Sequence, residues 1–411
     1  MAEARRGFTR RQFIAGFFAL LGLLVIVLNV PGLAEEVPVV TRLALPQPVI
    51  VLPTALSLAL IGAVWLAAGA LSFVPRAERA ATYLTWAGAA LIIPAVLIWA
   101  AAGRQTNVAS LAAATLRLCT PIALGALAGI YAERSGVINI AIEGMMLTGA
   151  AFGFAAFAFT GSLWAGVACA VVLGSVIALL HGMLSITFKT DQIISGTVIN
   201  ILAIGVTGYL RRQYLVTSGG SGATLPTLEI PLLSDIPILG PVFFVGKPIF
   251  FTMIMLVLIS HLVLFYTRWG LRMRAVGENP KAADTVGINV NWTRYMNIAL
   301  SGAIAGLGGA WFSLETVGNF DDGMTAGKGF IALAAMIFGK WMPFGAFAGA
   351  LLFGFAEALG VSFQIVRVEA FGVPVPTQFL QMLPYVVTIV VLAGLIGRAV
   401  GPAAAGKPYE K

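Results

Sequence analysis

Charged residues are scarce in this sequence. Asp, Glu, Lys and Arg make up 10% of the 411 residues, and 59% are hydrophobic; a typical soluble domain is about 25% charged. The mean hydropathy is +0.95. A single buried core cannot hold this much apolar surface, so much of it must face lipid. This excludes a soluble enzyme, a disordered chain and a nucleic-acid-binding protein.

Cysteine and histidine are also rare. Cys119 and Cys169 both lie within apolar runs, which argues against a disulfide framework and against a thiolate metal site. The two histidines, His181 and His261, are far apart in the chain and have no carboxylate cluster beside them. The sequence therefore predicts no metal site and no catalytic residue, and it disfavours a polytopic membrane enzyme.

Long apolar runs predict an all-α polytopic membrane protein with about 10–12 transmembrane helices, since each helix needs about 20 apolar residues. The predicted spans are 13–30, 49–72, 84–103, 109–131, 138–160, 163–187, 193–210, 249–267, 295–316, 344–366 and 378–397. A further stretch, 329–338, is too short for a comfortable crossing. Short, glycine-rich segments of this kind are typical of the broken helices of transporters.

The distribution of positive charge predicts the orientation. If 329–338 counts as a crossing, most lysines and arginines share a side with residue 1, so both termini are predicted in the cytoplasm. Two segments fall outside the spans: an outer loop, 211–248, and a basic cytoplasmic loop, 268–294. Arg10 and Arg11 before the first apolar run leave open that this run is a cleaved signal peptide.

Residues 122–150 and 303–338 share one plan, in which two Gly/Ala-rich helices flank a short polar turn. The two turns are predicted on opposite sides of the membrane. This arrangement predicts an inverted repeat with the permeation path between the halves. The GxxxG pairs Gly149/Gly153 and Gly302/Gly306 predict close helix packing, more readily within one subunit than between subunits.

The basic loop carries the signals of a short helix. Asn279 is a good N-cap and Pro280 suits the first helical position. Lys281 to Val286 can form the helix, and Gly287 can end it. A helix this short is unstable alone, so it must dock on its own bundle or on a partner.

Two segments resemble the permeases of ABC importers. Residues 281–287 fit their Glu-Ala-Ala-x-x-x-Gly loop, with Lys281 in place of Glu, and 274–283 are similar to the coupling segment of sugar, nucleoside and branched-chain amino-acid permeases. Residues 133–146 resemble the signature of the simple-sugar and nucleoside branch. The likeness covers 108–397. Residues 1–107 are then an N-terminal extension with about three transmembrane helices, and 398–411 are a cytoplasmic tail.

The resemblance implies a permease subunit of an ATP-driven importer for nucleosides or simple sugars, in the prokaryotic plasma (inner) membrane. The sequence has no Gly-x-x-x-x-Gly-Lys-Ser/Thr phosphate loop, so ATP and Mg would be bound by a partner ATPase and this chain would hold no cofactor. The other implied partners are an extracytoplasmic solute-binding protein, docked on 211–248, and a second permease chain in a heterodimer. The residues implied in coupling to the ATPase are Arg274, Gly277, Glu278, Asn279, Pro280, Lys281, Ala282, Ala283 and Gly287.

Candidates for the substrate pathway are carboxylates inside the spans, because charged groups are costly in a membrane, and amide and aromatic side chains, the types that a nucleoside or sugar pathway would use. The candidates are Asn139, Glu143, Asn200, Trp311, Asn319 and Glu357. For the two carboxylates, structural pairing and pathway lining are equally open. Two alternative functions remain: a branched-chain amino-acid ABC permease, and an ion-coupled secondary transporter in which Glu143 and Glu357 would serve the coupling ion.

Overall fold

The computed structural model describes residues 10–34, 38–44, 49–100, 102–103, 105–215, 222–366, 369–370, 373–390 and 399–410. Within these ranges, ten helices are long and apolar enough to cross a membrane. They are α1 (Arg10–Leu33), α2 (Thr54–Ser72), α3 (Glu78–Ala100), α4 (Val108–Glu133), α5 (Ile142–Thr160), α6 (Leu163–Gly182), α7 (Gln192–Leu210), α8 (Pro248–Tyr266), α11 (Val290–Ala310) and α13 (Pro343–Val366). π-Helical turns extend α6, α7 and α11 to Thr187, Leu215 and Val317.

The remaining elements are short. The helices are α9 (Arg268–Glu278), α10 (Pro280–Thr285), α12 (Lys328–Phe338), α14 (Thr377–Gln381) and α15 (Leu383–Val390). The strands are β1 (Val40–Ala44), β2 (Val49–Pro53), β3 (Gln105–Asn107), β4 (Leu228–Glu229), β5 (Val245–Gly246), β6 (Glu369–Ala370) and β7 (Val373–Pro374). The prediction of a polytopic all-α membrane protein is confirmed, with these small strands confined to the connections.

Four predicted spans begin at the wrong residue, and two of them begin too late: α3 starts at Glu78 rather than 84, and α11 at Val290 rather than 295. Residues 49–53 form β2, which pairs antiparallel with β1, and α2 begins only after Pro53. An apolar run of β-branched residues favours a strand as readily as a buried helix, so hydropathy alone could not separate them. Residues 138–141 precede α5 without helical structure, and Ala141 is the N-cap of α5. The predicted span 378–397 lies partly outside the described residues.

The chain divides into two compact units, and the first comprises Met1–Leu111, Val361–Leu380 and Val390–Leu395. In this unit Phe18, Leu58 and Trp65 form the centre of an apolar cluster between α1, α2 and α3. The Trp65 indole donates to the Gly88 carbonyl oxygen at 2.8 Å, which satisfies its polar atom inside the cluster.

The second unit comprises Ala112–Gly360, Gln381–Ile389 and Ile396–Lys411. Glycines bring its helix backbones into contact. A Cβ added to Gly302 would lie 2.3 Å from the Gly174 carbonyl oxygen, and one added to Gly149 would lie 2.5 Å from that of Gly306. The predicted role of these glycines in packing within the subunit is therefore confirmed for α5, α6 and α11.

α12 is half the length of its neighbours. Its 11 residues rise about 16 Å, against a hydrocarbon core of about 30 Å. Gly125 and Gly129 of α4 face Ala332 and Met336, so α12 runs alongside the second half of α4. It therefore begins inside the bundle.

Candidate functional site

The short helix α10 forms as its sequence predicts, over Pro280–Thr285. The Asn279 side chain accepts a hydrogen bond from the Ala282 backbone N–H at 3.1 Å, and Gly287 has a φ of +81°. Ala283 is buried against Val276 and Val290, whereas Ala282 is exposed. α10 thus has one side on its own bundle and one side in solvent.

The segment before α10 packs on the turn that follows α4. A Cβ added to Gly277 would lie 2.2 Å from the Arg134 carbonyl oxygen, so only glycine permits this approach. Two segments far apart in the sequence, 133–146 and 274–283, are thereby joined.

Arg134 links this junction to the end of α12. Its guanidinium donates to the Trp341 carbonyl oxygen at 3.1 Å, and the Trp341 indole donates to Glu133 at 2.6 Å. Burial lowers the pKa of Arg134, and the nearby Glu278 carboxylate opposes this shift. We name α9, α10 and the turns 134–136 and 339–342 the α9–α10 face.

Arg274 lies on the same face. Its guanidinium sits over the Phe265 ring, 5.1 Å from the centroid. Lys281 and Glu278 are exposed there.

Beyond the turn, residues 137–141 lead into the bundle without forming a helix or a strand. The Asn139 amide donates to the Ser301 hydroxyl at 3.0 Å and accepts from the Ala141 backbone N–H at 3.0 Å. From α7, the Asn200 amide accepts from the Gly144 N–H at 2.8 Å and donates to the Ile140 carbonyl oxygen at 3.0 Å. These two amides satisfy the backbone groups exposed where α5 begins.

Glu143 forms the first turn of α5 and caps α12. Its carboxylate accepts from the Thr325 hydroxyl at 2.6 Å and from the backbone N–H groups of Gly327 and Gly329 at 2.8 and 2.6 Å. A helix N-terminus carries unpaired N–H donors and partial positive charge, which together compensate a buried carboxylate. We name Asn139, Glu143, Asn200, Ser301 and Thr325 the polar cluster.

The other predicted pathway residues are placed differently. Glu357 of α13 pairs with Lys328 at 2.8 Å, at the start of α12. Trp311 is buried with its ring against Phe312. Asn319 is exposed, and its side chain accepts from the neighbouring Phe320 N–H at 2.8 Å. The structure therefore brings Asn139, Glu143 and Asn200 together. Glu357 is linked to them indirectly, because its partner Lys328 belongs to the helix that Glu143 caps.

Sequence reasoning missed a second carboxylate cap. Glu315 accepts from the Ile249 backbone N–H at 2.7 Å, at the start of α8, and Lys247 donates to the Glu315 backbone carbonyl oxygen. Burial lowers the pKa of Lys247, and the Glu315 carboxylate raises it. The sequence showed only a carboxylate near the end of an apolar span and did not indicate its partner.

Ion pairs also hold the connection between α11 and α12 against the end of α7. Arg211, just after α7, forms ion pairs with Asp321 and Asp322. Within the described ranges, no group of three or more His, Cys, Asp or Glu side chains could hold a metal ion.

Residues 111–392 match the family described as the permease component of branched-chain amino acid transport systems. The chain belongs to this family. It is 40% identical over 311 residues to the guanosine ABC transporter permease protein NupQ of Bacillus subtilis (strain 168), covering 72% of this chain and 95% of the relative. It is 39% identical over 302 residues to the nucleoside ABC transporter permease protein NupC of Lactococcus lactis subsp. cremoris (strain MG1363), covering 71% and 94%.

A more distant relative is the guanosine ABC transporter permease protein NupP of Bacillus subtilis (strain 168), 26% identical over 261 residues, with 58% of this chain and 70% of the relative covered. No solved structure matches the chain.

The prediction of an ABC transporter permease is thereby confirmed. The chain is a multi-pass protein of the prokaryotic plasma membrane, and its family implies ATPase and solute-binding partners. This assignment replaces the ion-coupled secondary transporter that the buried carboxylates had left open.

Proposed function

We propose that this chain is the permease subunit of an ATP-driven importer of nucleosides. The observation that carries the substrate class is the match to two relatives named for guanosine and for nucleosides, over 95% and 94% of their lengths. A branched-chain amino acid is the second candidate, because the family description names that substrate.

Coupling to the ATPase is proposed for the α9–α10 face. Gly277 and Ala283 hold α10 on the bundle, while Lys281 and Ala282 face outward, where a nucleotide-binding domain would seat α10 in a cleft. The remaining coupling candidates support this helix or flank it: Arg274, Glu278, Asn279, Pro280 and Gly287. ATP and Mg would be bound by the partner, since the sequence has no phosphate loop, and the face and both termini would be cytoplasmic.

The pathway is proposed to run beside the polar cluster. Broken helices that begin near the middle of a bundle are where transporters place their substrate sites, and both α5 and α12 begin there. Asn139, Glu143 and Asn200 would hold these helix starts, while Trp311, Asn319 and Glu357 would line the approach. Alternating access would then follow from movement of α12 and of residues 137–141 when α10 is displaced.

The other partners follow from the same proposal. A solute-binding protein would dock on 211–248, and a second permease chain would complete the pathway. That two guanosine permease proteins, NupQ and NupP, occur in one Bacillus strain supports a heterodimer. In this proposal residues 1–107 are an extension of about three helices, residues 108–397 the permease core and residues 398–411 a tail.

Purification of the tagged chain in mild detergent from its native host, followed by mass spectrometry, tests the assembly. We expect a phosphate-loop ATPase, a second permease and a solute-binding protein to be recovered. The recovered complex is then placed in proteoliposomes with tritiated guanosine, with excess unlabelled adenosine, leucine or glucose as competitors.

ATP-dependent guanosine uptake that only adenosine suppresses would support the proposal. ATP-dependent uptake of tritiated leucine, with no uptake of guanosine, would overturn the substrate class in favour of a branched-chain amino acid. Uptake driven by an ion gradient, with no ATPase recovered, would overturn the importer assignment itself.

A further inference from the structure

The C-terminal residues 399–410 have no helix or strand, yet they lie across the α9–α10 face. We name them the C-terminal strap. The sequence predicted only a cytoplasmic tail there. Pro402 and Ala404 are buried, whereas a solvated tail would expose them.

The strap is hydrogen-bonded to the end of α9. The Ala404 N–H donates to the Gly277 carbonyl oxygen at 2.9 Å, and the Ala403 N–H donates to the Glu278 carboxylate at 3.3 Å. The strap thus satisfies a carbonyl left unpaired at the C-terminus of α9.

A buried arginine of α11 also depends on the strap. Arg294 is 0% exposed, and its guanidinium donates to the Lys407 carbonyl oxygen at 3.2 Å. Its Nε and Nη2 atoms have no hydrogen-bond partner among the described residues. Because unpaired buried donors are costly, loss of the bond to the strap would add one more unpaired donor to this buried arginine.

The end of the strap reaches α10 itself. Tyr409 packs on the apolar cluster of Val276, Ala283 and Val290. Burial and the Asp284 carboxylate both raise the pKa of Tyr409. Glu410 then pairs with Lys189, in the connection between α6 and α7, at 2.9 Å.

The strap also touches the two segments that lead to the polar cluster. Gly406, whose φ is +77°, lies against Ile138 in the irregular segment 137–141. Gly401 lies against the Trp341 ring, in the turn that follows α12. The twelve residues of the strap therefore contact the cluster around α10, residues 137–141 and the turn that follows α12.

We infer that the C-terminal strap, with Tyr409 as its main positioning residue, holds α10 on the bundle and carries its displacement to residues 137–141 and to α12. The inference rests on the proposed function for the role of α10. A helix of six residues is unstable alone. The buried Ala283 contributes only a methyl group to the packing of α10 on the bundle. The Tyr409 side chain packs on the cluster that contains this methyl group.

The placement of α10 can be measured without any partner. Cys119 and Cys169 are replaced by Ala, and Ala283→Cys is introduced beside Tyr409. In the purified full-length chain, we expect Tyr409→Ala to raise the rate at which a fluorescent maleimide labels this thiol about tenfold. The labelling rate is proportional to the fraction of molecules in which the thiol is exposed. Val400→Ala is the matched control in the same strap, because Val400 is 76% exposed.

An unchanged labelling rate in Tyr409→Ala would overturn the inference, whatever the substrate or partner is. If Tyr409→Ala does not elute as a folded protein, Glu410→Lys takes its place. This exposed substitution removes the pair with Lys189 and leaves the apolar cluster filled, and it must raise the rate about threefold.

Coupling is measured next, in the reconstituted complex with its ATPase and solute-binding protein. We expect Tyr409→Ala to retain the ATPase and to hydrolyse ATP, but to import about tenfold less guanosine per ATP hydrolysed, a loss of the size typical of coupling between two sites. Tyr409→Phe should lie between it and the wild type. An unchanged ratio would overturn the inference, whereas failure of the wild type to bind an ATPase would overturn the proposed function alone.

Discussion

The polar cluster and the α9–α10 face use their side chains in opposite ways. In the cluster, the side-chain polar atoms of Glu143 and Asn200 form hydrogen bonds with backbone groups of this chain. On α10, Lys281 and Ala282 are exposed. Substitutions in the cluster should therefore be felt first by the folding of this chain, and substitutions on the exposed side of α10 only by a partner.

Glu143→Ala should have the largest effect. It leaves the Thr325 hydroxyl and the N–H groups of Gly327 and Gly329 without their acceptor, at about 1–3 kcal/mol for each buried group. We expect a marked fall in the thermal unfolding midpoint in detergent, followed by tryptophan fluorescence, and guanosine uptake at background.

Glu143→Gln is the matched control for charge and shape. It keeps one acceptor oxygen but turns an NH₂ group toward an N–H donor, so it should unfold between the wild type and Glu143→Ala. If Glu143→Ala unfolds at the wild-type midpoint yet has lost uptake, the carboxylate acts on the substrate and the comparison breaks down.

Gly277→Ala comes next, because it acts at the turn from which residues 137–141 lead to the polar cluster. Its Cβ would lie 2.2 Å from the Arg134 carbonyl oxygen, and such overpacking costs about 1–3 kcal/mol. We expect α9 to move off the turn after α4 and uptake to fall about tenfold, with the ATPase still recovered. At Gly205 no described atom lies within 4 Å of an added Cβ, so Gly205→Ala should transport normally. Equal uptake by the two variants would show that the junction carries no movement.

Local features of the sequence predicted much of this fold. The lengths and hydropathy of the apolar runs indicated most spans, and Asn279, Pro280 and Gly287 indicated α10, because each signal lies within a few residues of what it predicts. The span 49–72 began too early, since an apolar strand and an apolar helix end look alike over five residues.

The contacts of the candidate site could not be predicted in the same way. Glu143 and Thr325 are 182 positions apart, and the close approach of Gly277 to Arg134 depends on how α9 packs on the turn after α4. The sequence showed that Glu143 needed a partner but not that the partner was a helix N-terminus. The burial of Arg294 beneath the strap had no local signal at all.

Ala282→Glu should have a smaller and more selective effect. Ala282 is exposed on α10, so the unfolding midpoint of the purified chain should not change, while guanosine uptake should fall about tenfold or less through loss of contact with the ATPase. The neighbouring Ala283→Glu is the contrast. Ala283 is 3% exposed, and a buried carboxylate beside Val276 and Val290 should lower the midpoint as well. If both variants unfold like the wild type, the two sides of α10 are not distinct.

The smallest effect is expected at the pair of Lys328 and Glu357, whose side chains are 13% and 25% exposed. Glu357→Gln or Lys328→Met alone leaves one partly buried charge unpaired, so each should destabilise the chain by about 1–2 kcal/mol after allowance for solvent screening. The double variant Lys328→Met/Glu357→Leu leaves no such charge and should recover most of the unfolding midpoint and of the uptake. Recovery of the midpoint without the uptake would give this pair a task in transport, which the fully bonded carboxylate of Glu143 is not free to perform.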